Sequence, residues 1–257
     1  MRENAATSFA PDPCAAPRAR MLRAQTGIEL KMLLRNGEQV ALTLVIPLLL
    51  LLFFNLKLLY SLAGRRIDFV VPSIFALSVM SASFTGLAIG TGFERKYGVL
   101  KRLGGTALPR HVLLFGKTLA VLALELLQIA LIAAAGLALG WHPKGDPGSV
   151  ALLVLMGTIA FGGLGLLVAG TLRAEVTLAA ANLAWLILLF CGGIAVPLDK
   201  YPHAVAAWLR FLPSAALSDG LHQVLRDGHS LPWRPLLILL VWAALSLPSA
   251  ARWFKWE

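Results

Sequence analysis

Charged side chains are scarce in this chain. Asp, Glu, Lys and Arg together make up 14% of its 257 residues, whereas a soluble domain carries about 25%. With 58% hydrophobic residues and a mean hydropathy of +0.76, that shortage excludes an ordinary soluble globular class. Cysteine is nearly absent: Cys14 lies in an Ala/Pro-rich N-terminal tail and Cys191 in an apolar run. A disulfide framework or a thiol-based redox site is therefore not expected. His111, His142, His203, His222 and His229 show no metal-ligand spacing and no H-E-x-x-H pair, so no metal is expected. No G-x-x-x-x-G-K-S/T run occurs, which leaves the chain without a phosphate-cradling loop of its own. No Ser, His and Asp set falls within the apolar runs, so no catalytic residues are assigned and the chain is not expected to be an enzyme. No apolar segment precedes Val40, so a cleavable signal peptide is not expected and the first span must direct insertion.

What the chain does have is apolar blocks of about 20 residues or more, enough to cross a bilayer as helices. They place spans near 40–60, 69–92, 113–139, 150–171, 176–196 and 235–251. Pro47 and Pro248 inside the first and last are tolerable kinks, because neighbours or water can satisfy the freed carbonyls. The net charge of +10 would suggest nucleic acid in a soluble protein. Here the positive charge sits between the apolar runs, where Lys and Arg set topology. With the N-terminus inside, Arg2, Arg18, Arg20, Arg23, Lys31, Arg35, Arg95, Lys96, Lys101, Arg102, Arg110, Arg173, Arg252 and Lys255 fall on the cytoplasmic side, 14 in all. Arg65, Arg66, Lys144, Lys200, Arg210, Arg226 and Arg234 fall outside, seven in all. This asymmetry favours six spans with both termini cytoplasmic. Lys57 and Lys117 lie within apolar runs and are expected to snorkel.

The fold class is thus all-α, an integral membrane protein with six transmembrane helices. Residues 1–19 read as a disordered cytoplasmic tail, 20–37 as an interfacial amphipathic helix, and 38–257 as the six-span domain. In the amphipathic piece Met21, Ala24, Ile28 and Met32 share one face, with Arg23, Lys31 and Arg35 available to headgroups. Small residues at helical spacing (Thr158, Gly162, Gly165 and Ala169; Ala82, Gly86 and Gly90) suit close helix packing.

Three groups of residues are functional candidates. The first is the charged segment Glu94, Arg95, Lys96, Tyr97, Gly98, Val99, Leu100, Lys101, Arg102, Leu103 between the second and third spans. As one helix it would align Tyr97, Leu100 and Leu103 as an apolar edge, ended by Gly104-Gly105 and Pro109. Topology alone explains its charge; the ordered edge points to a docked knob. The second is intramembrane: Glu125 and Gln128 share a face of the third span with Lys117, and Asn182 lies in the fifth. A central ionised group costs about 2.5–3.5 kcal/mol to insert, which the leucines of that run offset at a few tenths each. Glu125 reads either as an interhelical hydrogen-bonding group or as a polar point on a transport path. The third is the connection 197–234, where Pro202 and Pro213 would start two short helices. Pro197, Trp208, Leu209, Pro213, Leu217 and Leu221 there suit either a lid-like loop or an outer gate.

On these residues the chain resembles the permease subunit of ABC type-2 exporters, the class of daunorubicin-type drug-resistance, polysaccharide and lipid exporters. The resemblance rests on Leu33-Leu34-Arg35-Asn36 before the first span, on the run Phe93 to Leu103 with Leu108-Pro109 and Lys117, and on Pro197-Leu198 and Leu212-Pro213 to Asp219-Gly220-Leu221. It implies that Glu94 to Leu103 is a coupling helix docking on a separate ATP-binding subunit, and that 202–227 is an external gate. It also implies a second permease copy or paralogue, membrane lipids around the pair, ATP and Mg held by the partner, and a place in the plasma (inner) membrane. Two features depart from the pattern: Gly98 in the middle of the coupling segment, and basic Arg65-Arg66 in a short outer loop. The expected function is ATP-driven export of a hydrophobic or amphipathic substrate. The alternatives are an ion-coupled secondary transporter using Glu125 and a non-transporting assembly subunit.

Overall fold

A computed structural model describes residues 16–55, 66–106 and 108–254, all of it helix and connecting turns among those residues. Five helices are long and apolar enough to cross a membrane: Ile67–Lys96, His111–Ala138, Pro147–Thr171, Ala174–Cys191 and Trp233–Trp253. They fall where the apolar blocks place the second to sixth spans, with the fifth ending earlier than expected. The first expected span is represented by α2 (Gly37–Asn55), whose apolar part, Leu44–Phe53, is shorter than a crossing requires. Residues 56–60 of that span lie outside the described residues, as do Lys57, Arg65, Cys14 and residues 1–15 of the expected tail.

Before α2 comes α1 (Arg18–Arg35), stopped at Asn36. The second span is one continuous rod of three parts: α3 (Arg66–Val79), a π-helical segment Met80–Gly86, and α4 (Leu87–Lys96). The Ser83 hydroxyl donates to the Val79 carbonyl at 2.5 Å, a local competitor for backbone bonding that suits a widened turn. A short helix α5 (Val99–Gly104) follows, then α6 (Arg110–Ala138), α7 (Pro147–Thr171) and α8 (Ala174–Cys191). Asp146 starts α7 by accepting from the Ser149 backbone N–H at 2.9 Å, with Pro147 in the first turn, a standard N-terminal device. Beyond α8 lie α9 (His203–Leu209), α10 (Pro213–Leu225) and α11 (Trp233–Trp253).

The axis of the bundle is α7. Its glycines remove Cβ atoms where neighbours come closest, which is how helices associate when lipid offers no hydrophobic drive. A Cβ on Gly170 would lie 2.5 Å from the Phe254 ring, and one on Gly165 would lie 2.7 Å from the Phe84 carbonyl oxygen. The π segment therefore packs its backbone directly on α7. Gly162 faces more room, its nearest neighbour being a Leu87 methyl at 3.6 Å. Gly165→Ala is accordingly expected to cost about 1–3 kcal/mol through overpacking against rigid backbone. Gly162→Ala should be neutral or stabilising by about 0.5–1 kcal/mol from helix propensity. Thermal unfolding of the purified chain in detergent compares the two; equal effects would contradict this packing.

The two short helices after α8 part company. Trp208 on α9 is 79% exposed, so α9 stays at the surface. Nearly every residue of α10 is buried, from Pro213 to Leu225, with Leu217 and Leu221 in the core beside Phe75 and Leu153. At 13 residues its length is about 20 Å, too short to cross, so α10 enters the bundle and the chain returns. Small residues make this entry possible: Ala215, Ala216, Ser218 and Gly220 all lie on buried sides.

Candidate functional site

The charged segment between the second and third spans is not one helix. Tyr97 closes α4, and Gly98 takes a left-handed conformation with φ of 71°, which a side chain would strain. The chain restarts as α5, whose first turn is set by the Arg102 N–H donating to the Gly98 carbonyl at 3.1 Å. This break corrects the expected apolar edge. Leu100 points inward and is fully buried among Leu87, Leu113, Leu166 and Phe254, with Leu103 half-buried beside it. Tyr97 points the other way and is 67% exposed. The outward surface of this tip is Tyr97, Val99, Lys101 and Arg102.

Three consecutive residues fix the tip to its surroundings. The Arg95 guanidinium donates to the Gly170 carbonyl at 2.8 Å and also to the Leu172 carbonyl. It thereby satisfies open acceptors at the C-terminus of α7 and complements the negative end of that helix. Lys96 forms an exposed ion pair with Glu175 in the first turn of α8. Glu94 turns inward, where Lys117 of α6 donates to its carboxylate at 2.8 Å.

Lys117 does not snorkel. It is 4% exposed and also sits 2.8 Å from the Glu29 carboxylate of α1, whose Oε1 in turn accepts from Gln25 at 2.7 Å. One ammonium thus joins carboxylates from two other helices, and the two ion pairs with the Gln25 hydrogen bond offset part of the cost of taking these charges out of water. The buried face of α1 is therefore polar, Gln25 and Glu29, while Ile28 and Met32 are exposed on its outer side. α1 thus packs Gln25 and Glu29 toward α6 and leaves Ile28 and Met32 exposed together with Arg23, Lys31 and Arg35. Gly116 allows the contact, since a Cβ there would meet the Gln25 side chain at 2.7 Å.

Sequence reasoning missed Glu29, Gln25 and the role of Lys117. A signal was present in the Gln25–Glu29 spacing of one turn, but its partner is about 90 residues away in the chain, beyond any local pattern. The other candidates are spread out. Glu125 is fully buried, with the Thr158 hydroxyl of α7 against its carboxylate, and Gln128 is buried one turn on. Asn182 is exposed on α8, away from both. Pro197 lines a cavity at the end of the bundle opposite the tip, while Leu217, Leu221 and Pro213 are inside the core, Leu209 is half-buried and Trp208 is outside. Among the described residues no group of three or more His, Cys, Asp or Glu gathers in metal-binding geometry.

Residues 65–251 match the family model described as ABC-2 family transporter protein. The chain is also 26% identical over 235 residues to YvfS of Bacillus subtilis (strain 168), described by its name as a transport permease. That alignment covers 88% of this chain and 93% of YvfS.

Proposed function

This chain belongs to the ABC-2 family of transporter proteins, multi-pass membrane permeases whose ABC transporters include an ATP-binding partner, and from that premise we propose that it is the membrane-spanning subunit of an ATP-driven exporter. The substrate is a hydrophobic or amphipathic molecule leaving the cytoplasm. The chain's spans number six, with both termini cytoplasmic and the protein in the plasma (inner) membrane. Two such subunits, identical or paralogous, assemble with two copies of the ATP-binding subunit, which holds ATP and Mg.

The observation that carries this reading is the construction of the tip. Glu94, Arg95 and Lys96 hold it to α1, α6, α7 and α8 at once, while Tyr97, Val99 and Arg102 are left facing away from the bundle. A basic loop serving topology alone has no need of such anchoring. A docked handle does, because a push on a floppy loop is not transmitted. Closure of the ATP-binding subunits would displace the tip, and the rod of α4, the π segment and α3 would carry the movement toward α10. This is a two-state packing change biased by a ligand bound elsewhere. The outer gate would then be built on Pro197, Trp208, Leu209, Pro213, Leu217 and Leu221. The enclosure of Glu125 against Thr158 supports a packing role over ion coupling.

The test is co-purification and coupled ATP hydrolysis in the reconstituted complex. Tyr97→Asp combined with Arg102→Glu is expected to leave insertion and folding unchanged. Partner capture and substrate-stimulated hydrolysis should fall by about tenfold or more, the scale of losing one central aromatic or Arg anchor. Unaltered capture and hydrolysis would remove the tip from the interface.

A further inference from the structure

α8 is the least enclosed of the five spans. It packs on α4, the π segment and α7, and the residues it buries, Ala174, Thr177 and Ala181, all lie on one side. The opposite side is exposed along the whole helix, through Val176, Ala179, Asn182, Leu183, Leu186 and Phe190. Lipid alone is enough to cover the apolar members of that face. Asn182 does not fit that explanation.

Asn182 stands at the middle of the 18-residue helix, about 13 Å from either end at 1.5 Å per residue. At that depth hydrocarbon offers a side-chain amide no hydrogen-bond partner. Among the described residues no hydrogen bond reaches the Asn182 side chain. Elsewhere in the five spans, every described amide or charged side chain that is exposed lies within a turn of a helix end, as Lys96, Glu175, Arg234 and Arg252 do. Glu125 and Gln128, which lie deeper, are buried. A polar group facing lipid without a partner is costly. A carboxamide carries both donor and acceptor, so its complement can be another copy of itself.

Two copies inserted the same way are related by a two-fold axis along the membrane normal. An element on that axis meets its own counterpart in parallel, each residue level with itself. Ala179, Asn182 and Leu186 follow one another at spacings of three and four, the repeat of a helix–helix seam. Ala179 is small enough for the two backbones to approach closely. A single Asn in such a seam fixes register and partner number.

We propose that α8 is the face through which two copies of this chain pair, with the two Asn182 amides exchanging hydrogen bonds across the two-fold axis. Resting on the two-permease assembly inferred above, this contact gives the pair its surface and makes its members identical.

Single cysteines at Ala179 and Asn182, and at Val241 on the exposed side of α11, test the face in the full-length chain. The chain carries Cys14→Ser and Cys191→Ala and is expressed as the sole permease. A disulfide needs Cβ atoms about 3.5–4.5 Å apart, so only positions near the axis can join. Oxidation in the membrane is expected to give linked dimers from A179C and N182C and none from V241C. In a second measurement, energy transfer between labelled chains is followed on dilution into excess lipid. Asn182→Leu is expected to weaken association by about tenfold, the scale of an interhelical hydrogen bond, while Asn182→Gln, which keeps the amide, should hold most of it. All these positions are exposed, so folding is expected to survive each change. Linked dimers from V241C as readily as from N182C, or none from either α8 position, would overturn the α8 face. So would Asn182→Leu associating like the parent chain. Loss of substrate-stimulated hydrolysis in Asn182→Leu with association intact would give the amide to the transport path and overturn the pairing role. Partner capture through Tyr97 and Arg102 is measured separately, so a failed α8 contact leaves the coupling reading standing.

Discussion

Lys117→Met is expected to destabilise the chain by about 3–5 kcal/mol, the cost of leaving buried charges without their partner. Lys117 is 4% exposed and lies 2.8 Å from Glu29 and 2.6 Å from Glu94. Without it, two carboxylates from different helices face each other with no cation between them. The loss should appear as a lower unfolding temperature and as freer protease access to the α1 region. The triple change Glu29→Gln, Glu94→Gln, Lys117→Met removes the charges together and should recover much of the loss, since neutral packing can replace a buried ion cluster at little cost. A single Lys117→Met that unfolds like the parent chain would show that the lysine reaches water after all.

The second large effect is at Leu100. Leu100→Asp places a carboxylate where the side chain is fully buried among Leu87, Leu113, Leu166 and Phe254. Loss of a buried leucine alone costs about 2–5 kcal/mol, and an unpaired buried charge adds to it. The tip should detach from the bundle, and unfolding and coupling should fail together. Tyr97→Asp, three residues away, should stay within about 0.5 kcal/mol of the parent in stability, as surface changes do, yet lose partner capture. Taken as one apolar edge, the two positions would respond alike. A stable Leu100→Asp protein with normal unfolding would contradict the inward placement.

That contrast shows where local pattern stops being informative. Spacing of three between Tyr97 and Leu100 means a shared face only if the helix is continuous, and Gly98 interrupts it with a left-handed turn. The glycine was visible in the sequence as an oddity; its consequence, a reversal of which residue faces out, was not. Membrane helices were legible because hydrocarbon thickness imposes a minimum apolar length, so five of the blocks reappear as helices within a few residues. The one without a full-length counterpart, 40–60, runs beyond the described residues.

Lys117 was misread for a different reason. Near a helix end a lysine can reach water, and composition cannot tell whether another helix brings a carboxylate first. Here α1 and α4 bring two. The burial of α10 had a legible basis in Ala215, Ala216, Ser218 and Gly220, small enough for close packing. Amphipathic spacing of Leu217, Leu221 and Val224 was compatible with a surface helix as well, and only the tertiary contacts with α3, α7 and α11 decide it. The cavity that Pro197 lines draws on Phe69, 193–199, 210–227 and 234–238, so no stretch of sequence displays it.

The central claim is that the tip at Tyr97 to Arg102 is gripped by an ATP-binding subunit. Site-specific photocrosslinkers placed at Tyr97, at Arg102 and, as a far-end control, at exposed Trp208 test it in the intact membrane complex. The account predicts adducts with the ATP-binding subunit from positions 97 and 102 and none from 208. Absence of adducts at 97 and 102 while the complex remains assembled, or an equal yield from 208, would contradict it.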